Sequence, residues 1–357
     1  MFVSYFLTPL FSCILAWLFI PLMRKIAFVI QLTDQPNRRK IHHQPVPLVG
    51  GIAMFGASWL AAALFMHQWK DLVLIKNIFV ASFILLIIGT LDDRFDLRAS
   101  FRLVVQFLLA HSIFDAGVRI ETFYGIWGIE QLSYGQQYWA TILVITGIVN
   151  AINLMDGIDG LAAGLSLVSA VVLAIIAAQT GHENVFVLLL SYAGSLVAFL
   201  RFNFSRTQKI FMGDAGSMTL GLLISVVSIR LLPTGTEGRP FSWILIGIIS
   251  ILVIPVFDAL RVFRKRLKAG VSPFHADKTH LHHLVLFLGL RHQTVSLLLS
   301  AAALAIMVIG FCINNVAGLT WAIIGMVFVF YVGTSVLGFH HQVIVWRQKI
   351  RLMEMQR

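Results

Sequence analysis

Acidic residues are scarce in this chain, yet they gather. Only 16 of its 357 residues are Asp or Glu. Four short segments concentrate acids, amides or histidines where long apolar runs begin or end. Asp92 and Asp93 follow the run Val73–Thr90, and Asn150, Asn153, Asp156 and Asp159 recur every three residues. Asp214 stands between Gly213 and Gly216, and Asp277 leads into His280, His282 and His283. Carboxylates and amides with no accompanying cysteine are hard oxygen donors, which suit Mg²⁺ or Mn²⁺ rather than zinc. Glycines beside them let a ligand approach the backbone closely. The chemistry this predicts is a divalent cation shared with phosphate groups.

The elements that must position these residues are set by a membrane. The chain is 58% hydrophobic and 12% charged, against about 25% charged residues in ordinary soluble domains. Apolar runs of bilayer-crossing length recur throughout. Eleven spans are expected, at about 3–23, 46–66, 73–90, 101–115, 136–150, 160–178, 185–203, 215–232, 242–262, 295–314 and 319–339. The fourth is the weakest, being short and interrupted by His111. Backbone groups in lipid must be satisfied internally, so the spans are helices. The expected fold is all-α and polytopic, with residues 1–357 forming a single membrane-embedded domain. No internal repeat of fixed period is found, which weighs slightly against a transporter.

Most of the 27 Lys and Arg residues fall in the loops after spans 1, 3, 5, 7, 9 and 11. By the positive-inside rule that side is cytoplasmic, with the N-terminus periplasmic and the C-terminus cytoplasmic. The same bias explains the +11 net charge, and its scatter over six segments excludes a nucleic-acid patch. A cleaved signal peptide is not expected, because no basic residue precedes the first apolar run. Cys13 and Cys312 lie within spans and say nothing of redox compartment. The orientation uses Lys and Arg alone, yet it puts all four chemistry-bearing segments on the cytoplasmic face.

Each segment admits a plainer reading. Consecutive helical side chains point about 100° apart, so Asp92 and Asp93 are expected to diverge. One would face the reaction and the other would pair with Arg94, Arg98 or Arg102; the alternative is a solvated helix end. The three-residue recurrence drifts on an α-helix but aligns on a 3₁₀ segment. Asn and Asp are also good N-caps, though a cap needs one such residue rather than four. Asp214 either holds a cation, with Gly213 and Gly216 freeing amides for an anion at a helix start, or merely caps that helix. The histidines are too crowded for a zinc site, which leaves phosphate or sugar contact or a solvated loop. The basic cluster around Lys40 and His42 sits at headgroup level, where it could take a lipid phosphate or simply anchor the loop.

In order, Pro36–Gly51, Leu91–Asp96, Asn150–Gly160, Phe211–Ser217 and His280–His283 resemble the motifs of the polyprenyl-phosphate N-acetylhexosamine-1-phosphate transferase superfamily, over nearly the whole chain. Asp34–His42, Asp92–Leu97 and His280–His283 are most similar to its bacterial undecaprenyl-phosphate GlcNAc-1-phosphate branch. The MurNAc-pentapeptide branch shares the acidic motifs but is less similar in the first and last loops.

The resemblance implies transfer of GlcNAc-1-phosphate from UDP-GlcNAc to undecaprenyl phosphate, with release of UMP and a need for Mg²⁺ or Mn²⁺. It implies a multi-pass place in a bacterial inner membrane and the first lipid-linked step of an O-antigen or enterobacterial-common-antigen type of polysaccharide. Asp214 and Asn153 are then metal contacts, and Asp92, Asp93, Asp156 and Asp159 form the catalytic group. Phe211 stacks on uracil, with Asp159 also at the nucleotide. His280, His282, His283, Lys40 and His42 bind substrate. The implied partners are the two substrates and the bilayer, with a homodimer left open.

Two rivals remain: the same chemistry on another UDP-sugar, and a transporter, which would place its ionisable groups nearer the bilayer midplane. A phosphate monoester is already largely dianionic at neutral pH. Direct attack by the lipid phosphate is therefore expected over a covalent aspartyl intermediate.

Overall fold

The structure, a computed structural model, describes residues 2–36, 44–66, 72–232, 242–272 and 279–355. Its helices, in chain order, are α1 (Phe2–Ile30), α2 (Gly50–Phe65), α3 (Leu72–Phe95), α4 (Ala99–Asp115), α5 (Tyr134–Met155) and α6 (Leu161–Thr180). They continue with α7 (Glu183–Asn203), α8 (Gly213–Arg230), α9 (Ser242–Lys268), the single turn or so of α10 (Leu281–Leu286), α11 (His292–Ala317) and α12 (Leu319–Met355). Two short strands, β1 (Thr33–Asp34) and β2 (Val46–Pro47), pair antiparallel between α1 and α2.

Each expected span falls on one helix, except that the span expected at 46–66 opens on strand β2 (Val46–Pro47) and its helix α2 begins only at Gly50. Among the described residues, eight helices are long and apolar enough to cross a membrane, so the chain is a mostly helical, multi-pass membrane protein. Helix ends run past the apolar stretches. α1 reaches Ile30, α9 reaches Lys268 and α12 reaches Met355, because Arg, Lys and Leu are good helix formers once water replaces lipid. The segment after His340, beyond the last expected span, is the end of α12.

The outer surface differs from that of a soluble fold in being apolar. Large apolar side chains face outward, among them Trp17 and Val29 on α1, Leu297 and Val316 on α11, and Trp321 and Phe328 on α12. Small polar groups knit the interior: Ser12 Oγ donates to Ser191 O at 2.6 Å and Ser58 Oγ lies 2.8 Å from Ser195 Oγ. Without a hydrophobic force between helices in lipid, close approach and such bonds hold a bundle together.

α8 lies at the centre, against α2, α3 and α5, with nearly all of its 18 residues buried. That position explains its composition. It touches protein rather than lipid, so it carries Gly, Ser and Thr and is not among the helices apolar enough to cross a membrane. Backbone contact brings the neighbouring helices to its first turn. A Cβ on Gly51 would lie 2.2 Å from Gly216 N, and one on Gly89 would lie 2.4 Å from Ala215 Cα.

Candidate active site

The start of α8 is held from two sides. From the first loop, Phe211 N–H donates to Pro47 O at 2.9 Å, Gly50 N–H to Phe211 O at 3.0 Å, and Gly51 N–H to Met212 O at 2.9 Å. From α3, Asp93 accepts the N–H groups of Asp214 at 2.9 Å and Ala215 at 3.4 Å. Gly213, at φ +73°, lies so close beneath that a Cβ there would sit 2.4 Å from Asp93 Oδ2. This corrects two expectations. The amides at the helix start do not face an incoming anion, because Asp93 fills them, and Gly216 serves close packing against Gly51. Nor is Asp214 the cap of its own helix: Asp93 does that from another helix, and Asp214 is free to point elsewhere.

Asp214 points into a polar junction. Asn153 Nδ2 donates to Asp214 Oδ1 at 2.9 Å and to Ser217 Oγ at 3.0 Å. Arg102 Nη1 donates to Asp214 Oδ2 at 2.9 Å and also pairs with Asp92 Oδ2. Asp92 is buried and accepts Leu97 N–H at 2.8 Å. The neighbouring pair therefore diverges as helix geometry requires, Asp92 toward Arg102 and Asp93 toward α8. Asp93 also borders an open cleft of about 480 Å³, together with Phe28, Gln31, Thr33, Gln35, Pro45 and Arg94.

The four residues at three-residue spacing do not form one 3₁₀ face. α5 stays α-helical to Met155, so they scatter. Asn150 turns into the bundle, donating to Gln106 Oε1 at 2.6 Å and Thr146 O at 2.7 Å. Asn153 faces Asp214. Asp156, at the end of α5, has no hydrogen bond to its carboxylate from any described residue. Loss of hydration and then the charges of Asp214, Asp93 and Asp159 push it well above the usual carboxylate range. Asp159 belongs to a separate cluster. Lys209 Nζ donates to its Oδ2 at 2.7 Å, and His292 Nδ1 lies 3.1 Å from the same oxygen. Burial works against its ionised form, but these two partners prevail and hold it below the usual range. Lys209 Nζ also stands 5.3 Å from the centre of the Phe211 ring, within cation–π range.

The histidine segment is ordered by an acid that the motifs do not contain. Asp258 of α9 is fully buried. Its Oδ2 lies 2.9 Å from His280 Nδ1, and its Oδ1 accepts Leu281 N–H at 3.0 Å and Arg261 Nη2 at 2.7 Å. Arg261 also donates to Thr279 O at 2.7 Å. This packs His280 parallel to His282, ring centres 5.7 Å apart. His282 in turn presses on Gly157, where a Cβ would lie 2.7 Å from its Nε2. Neither nitrogen of His282 has a partner among the described residues. Burial, then His283 and His280, lower its pKa to about 3, so the ring is neutral. His283 is partly exposed beside it, ring centres 4.3 Å apart.

The structure thus brings Asp92, Asp93, Asn153, Asp156, Asp214 and Arg102 together at the start of α8. Phe211, Asp159 and Lys209 flank that group, and His282 touches it through Gly157. Lys40 and His42 lie outside the described residues, as do Asp277 and Lys278. Arg102 was one of three candidates to pair with the Asp92–Asp93 pair. Lys209, His292 and Asp258 were missed. Only Asp258 left a local signal, a lone acid in the apolar run Ile254–Leu260.

Among the described residues, no three His, Cys, Asp or Glu side chains are arranged to hold a metal by themselves. Mg²⁺ takes one or two carboxylates from a protein and completes its shell with water and substrate phosphates. Asp156, a carboxyl beside Asp214 with no hydrogen bond from any described residue, fits such a cation.

Residues 75–232 match the family model of glycosyl transferase family 4. The chain is 37% identical over 278 residues to the probable undecaprenyl-phosphate N-acetylglucosaminyl 1-phosphate transferase of Bacillus subtilis (strain 168), covering 76% of this chain and 75% of that one. The chain belongs to this family. Among other members, the undecaprenyl-phosphate alpha-N-acetylglucosaminyl 1-phosphate transferase of Yersinia pestis is 31% identical over 303 residues, 83% of this chain and 80% of its own. That of Escherichia coli (strain K12) is 30% identical over 301 residues, 82% and 79%. As a family 4 enzyme the chain is a membrane-bound transferase, and the transporter alternative falls.

Proposed function

We propose that this enzyme transfers GlcNAc-1-phosphate from UDP-GlcNAc to undecaprenyl phosphate, giving undecaprenyl-pyrophosphate-GlcNAc and UMP. The observation that carries the reading is the meeting of Asp93, Asp156 and Asp214 at the buried start of α8, in a chain whose relatives are named for that reaction. Asp214 and Asp156, with the amide oxygen of Asn153, would hold Mg²⁺ or Mn²⁺. When bound, the cation supplies charge neutralisation and polarisation of the phosphoryl oxygens.

The remaining steps belong to the chain's own residues. Arg102 bridges Asp92 and Asp214 and adds a fixed positive charge where two anionic reactants must meet. Asp93 spends both carboxylate oxygens on the α8 amides, and Asp92 spends both on Arg102 and the Leu97 amide. Two carboxylates so engaged suit positioning better than nucleophilic attack. That supports direct, in-line displacement by the lipid phosphate, which is already dianionic. Phe211 offers a ring for the uracil, and the His280–His283 segment lies beside Gly157 for the sugar.

The reading includes eleven crossings, an N-terminus in the periplasm, a C-terminus in the cytoplasm, and a site at the cytoplasmic face of the inner membrane. It makes the enzyme the first lipid-linked step of a surface polysaccharide. The test is to incubate membranes with radiolabelled UDP-GlcNAc, polyprenyl phosphate and Mg²⁺, and to identify the lipid product. A labelled GlcNAc-pyrophosphate lipid and one UMP per turnover are expected. Product only from UDP-MurNAc-pentapeptide would move the assignment to that sugar.

A further inference from the structure

We propose that Lys209 is a substrate-contacting cation of this site, the group that meets the nucleotide's phosphate, and that His292 positions it through the Asp159 carboxylate they share. This rests on the nucleotide-sugar reading above. Lys209 and His292 are far apart in the chain, and both meet Asp159 at one oxygen, at 2.7 Å and 3.1 Å. The Lys209 side chain is 29% exposed and that of Asp159 16% exposed, so the pair stands at the mouth of the site. An ion pair this open adds little to stability.

Its arrangement suits exchange instead. If an arriving phosphate draws the ammonium away, His292 remains on Asp159, and the carboxylate is not stranded without a partner. α11 fixes that imidazole at two points: Ser296, one turn after His292, donates to Gly160 O at 2.6 Å, gripping the same turn that carries Asp159. The ammonium also lies against Phe211, whose backbone is tied to Pro47 and Gly50. A flat base laid on that ring would carry its phosphate toward Lys209.

The chemistry calls for a cation there. As the lipid phosphate oxygen bonds to the sugar-bearing phosphorus, the bond from that phosphorus to the bridging oxygen breaks. The oxygen and its electron pair leave with UMP. Charge therefore builds on the nucleotide's phosphate, and a positioned ammonium stabilises it.

The test uses the purified full chain in detergent, without acceptor lipid, titrated with UMP and separately with uridine. Lys209→Met should weaken UMP about tenfold while leaving uridine unchanged, as expected for loss of a charge-assisted contact. Lys209→Arg should stay within about threefold of wild type, since a guanidinium binds phosphate as well. His292→Ala should weaken UMP about threefold, again sparing uridine, because the ammonium is then Asp159's sole partner and is released less readily. Should Lys209→Met fail to elute as a monodisperse species, Lys209→Gln takes its place. Equal losses for UMP and uridine, or no loss for UMP, would overturn the proposal. A wild-type protein that makes lipid-linked product and binds UMP no better than Lys209→Met overturns this inference alone. One that makes no product from any UDP-sugar and binds neither compound overturns the reading beneath it.

Discussion

Two buried acid centres stand close together in this bundle, and they are kept in opposite ways. Around Asp258 every charge is answered: Arg261, the His280 ring and the Leu281 amide converge on one carboxylate. At the start of α8, Asp92, Asp93, Asp156 and Asp214 gather, with Arg102 bridging two of them and Asp156 left without a described donor. A compensated buried charge fixes local structure. An under-compensated one is costly, and its persistence points to something that arrives to neutralise it.

The largest expected effect bears on the under-compensated centre. Asp214→Asn should lower turnover by about two to three orders of magnitude, comparable to losing one strong transition-state contact, while membrane insertion is unchanged. Product formation in membranes is the measurement. Near-wild-type turnover at saturating Mg²⁺ would make Asp214 scaffold and erase the contrast.

Stability should then move in opposite directions at the two centres. Asp258→Asn breaks a buried, fully paired carboxylate and should cost about 3 kcal/mol. Asp156→Asn should instead stabilise the protein in chelator at neutral pH. An acid whose folded pKa is raised does no harm while protonated, below the ordinary carboxylate pKa of about 4. Its ionisation costs the folded state progressively more as pH rises through the raised value. Thermal unfolding across a pH series in EDTA reads both, and a lower melting temperature for Asp156→Asn than for wild type at pH 7 would contradict the argument.

The neighbouring pair sharpens the comparison within one centre. Asp92→Asn removes a buried carboxylate from its pair with the half-buried Arg102 guanidinium and should lower thermal stability by roughly 2 kcal/mol. Asp93→Asn keeps an oxygen for the α8 amides but loses the charge beside the reacting phosphates. It should reduce kcat about a hundredfold with little change in melting. Equal kcat losses with unchanged melting for both would mean that the pair acts jointly.

The smallest effect is expected at Asn150. Its bond to Gln106 is an interhelical link worth about 0.6 kcal/mol in a membrane bundle. Asn150→Ala should change turnover by less than about threefold, while Asn153→Ala, three residues on, should cost far more. Similar losses at both would restore the idea of a single aligned face.

Much of this was legible before any coordinates. Apolar runs of bilayer length gave one helix each, because lipid enforces that relation residue by residue. The divergence of Asp92 and Asp93 followed from helical geometry alone. What failed was whatever depends on a distant partner. Gly213 and Gly216 look the same whether they expose amides to a ligand or make room for Asp93 and Gly51. Asn150 and Asn153 look alike until Gln106 and Asp214 are seen opposite them. Lys209 and His292 carry no local mark, since their meaning comes from Asp159. Asp258 could have been found, as an ionisable group inside an apolar helix is a signal in its own right.

Bare backbone against bare backbone, where Gly89 of α3 meets Ala215 and Gly51 of α2 meets Gly216, sets an assembly tolerance for the whole machine. The clearances are smaller than one methyl group, since an added Cβ would lie 2.4 Å and 2.2 Å from its neighbours. A single extra carbon at either glycine would act as a shim. It would spread α2 or α3 from α8 and pull the carboxylates that α3 and α8 carry out of register. Inactivating alleles of such an enzyme would then turn up at silent-looking glycines within the bilayer as readily as at the aspartates.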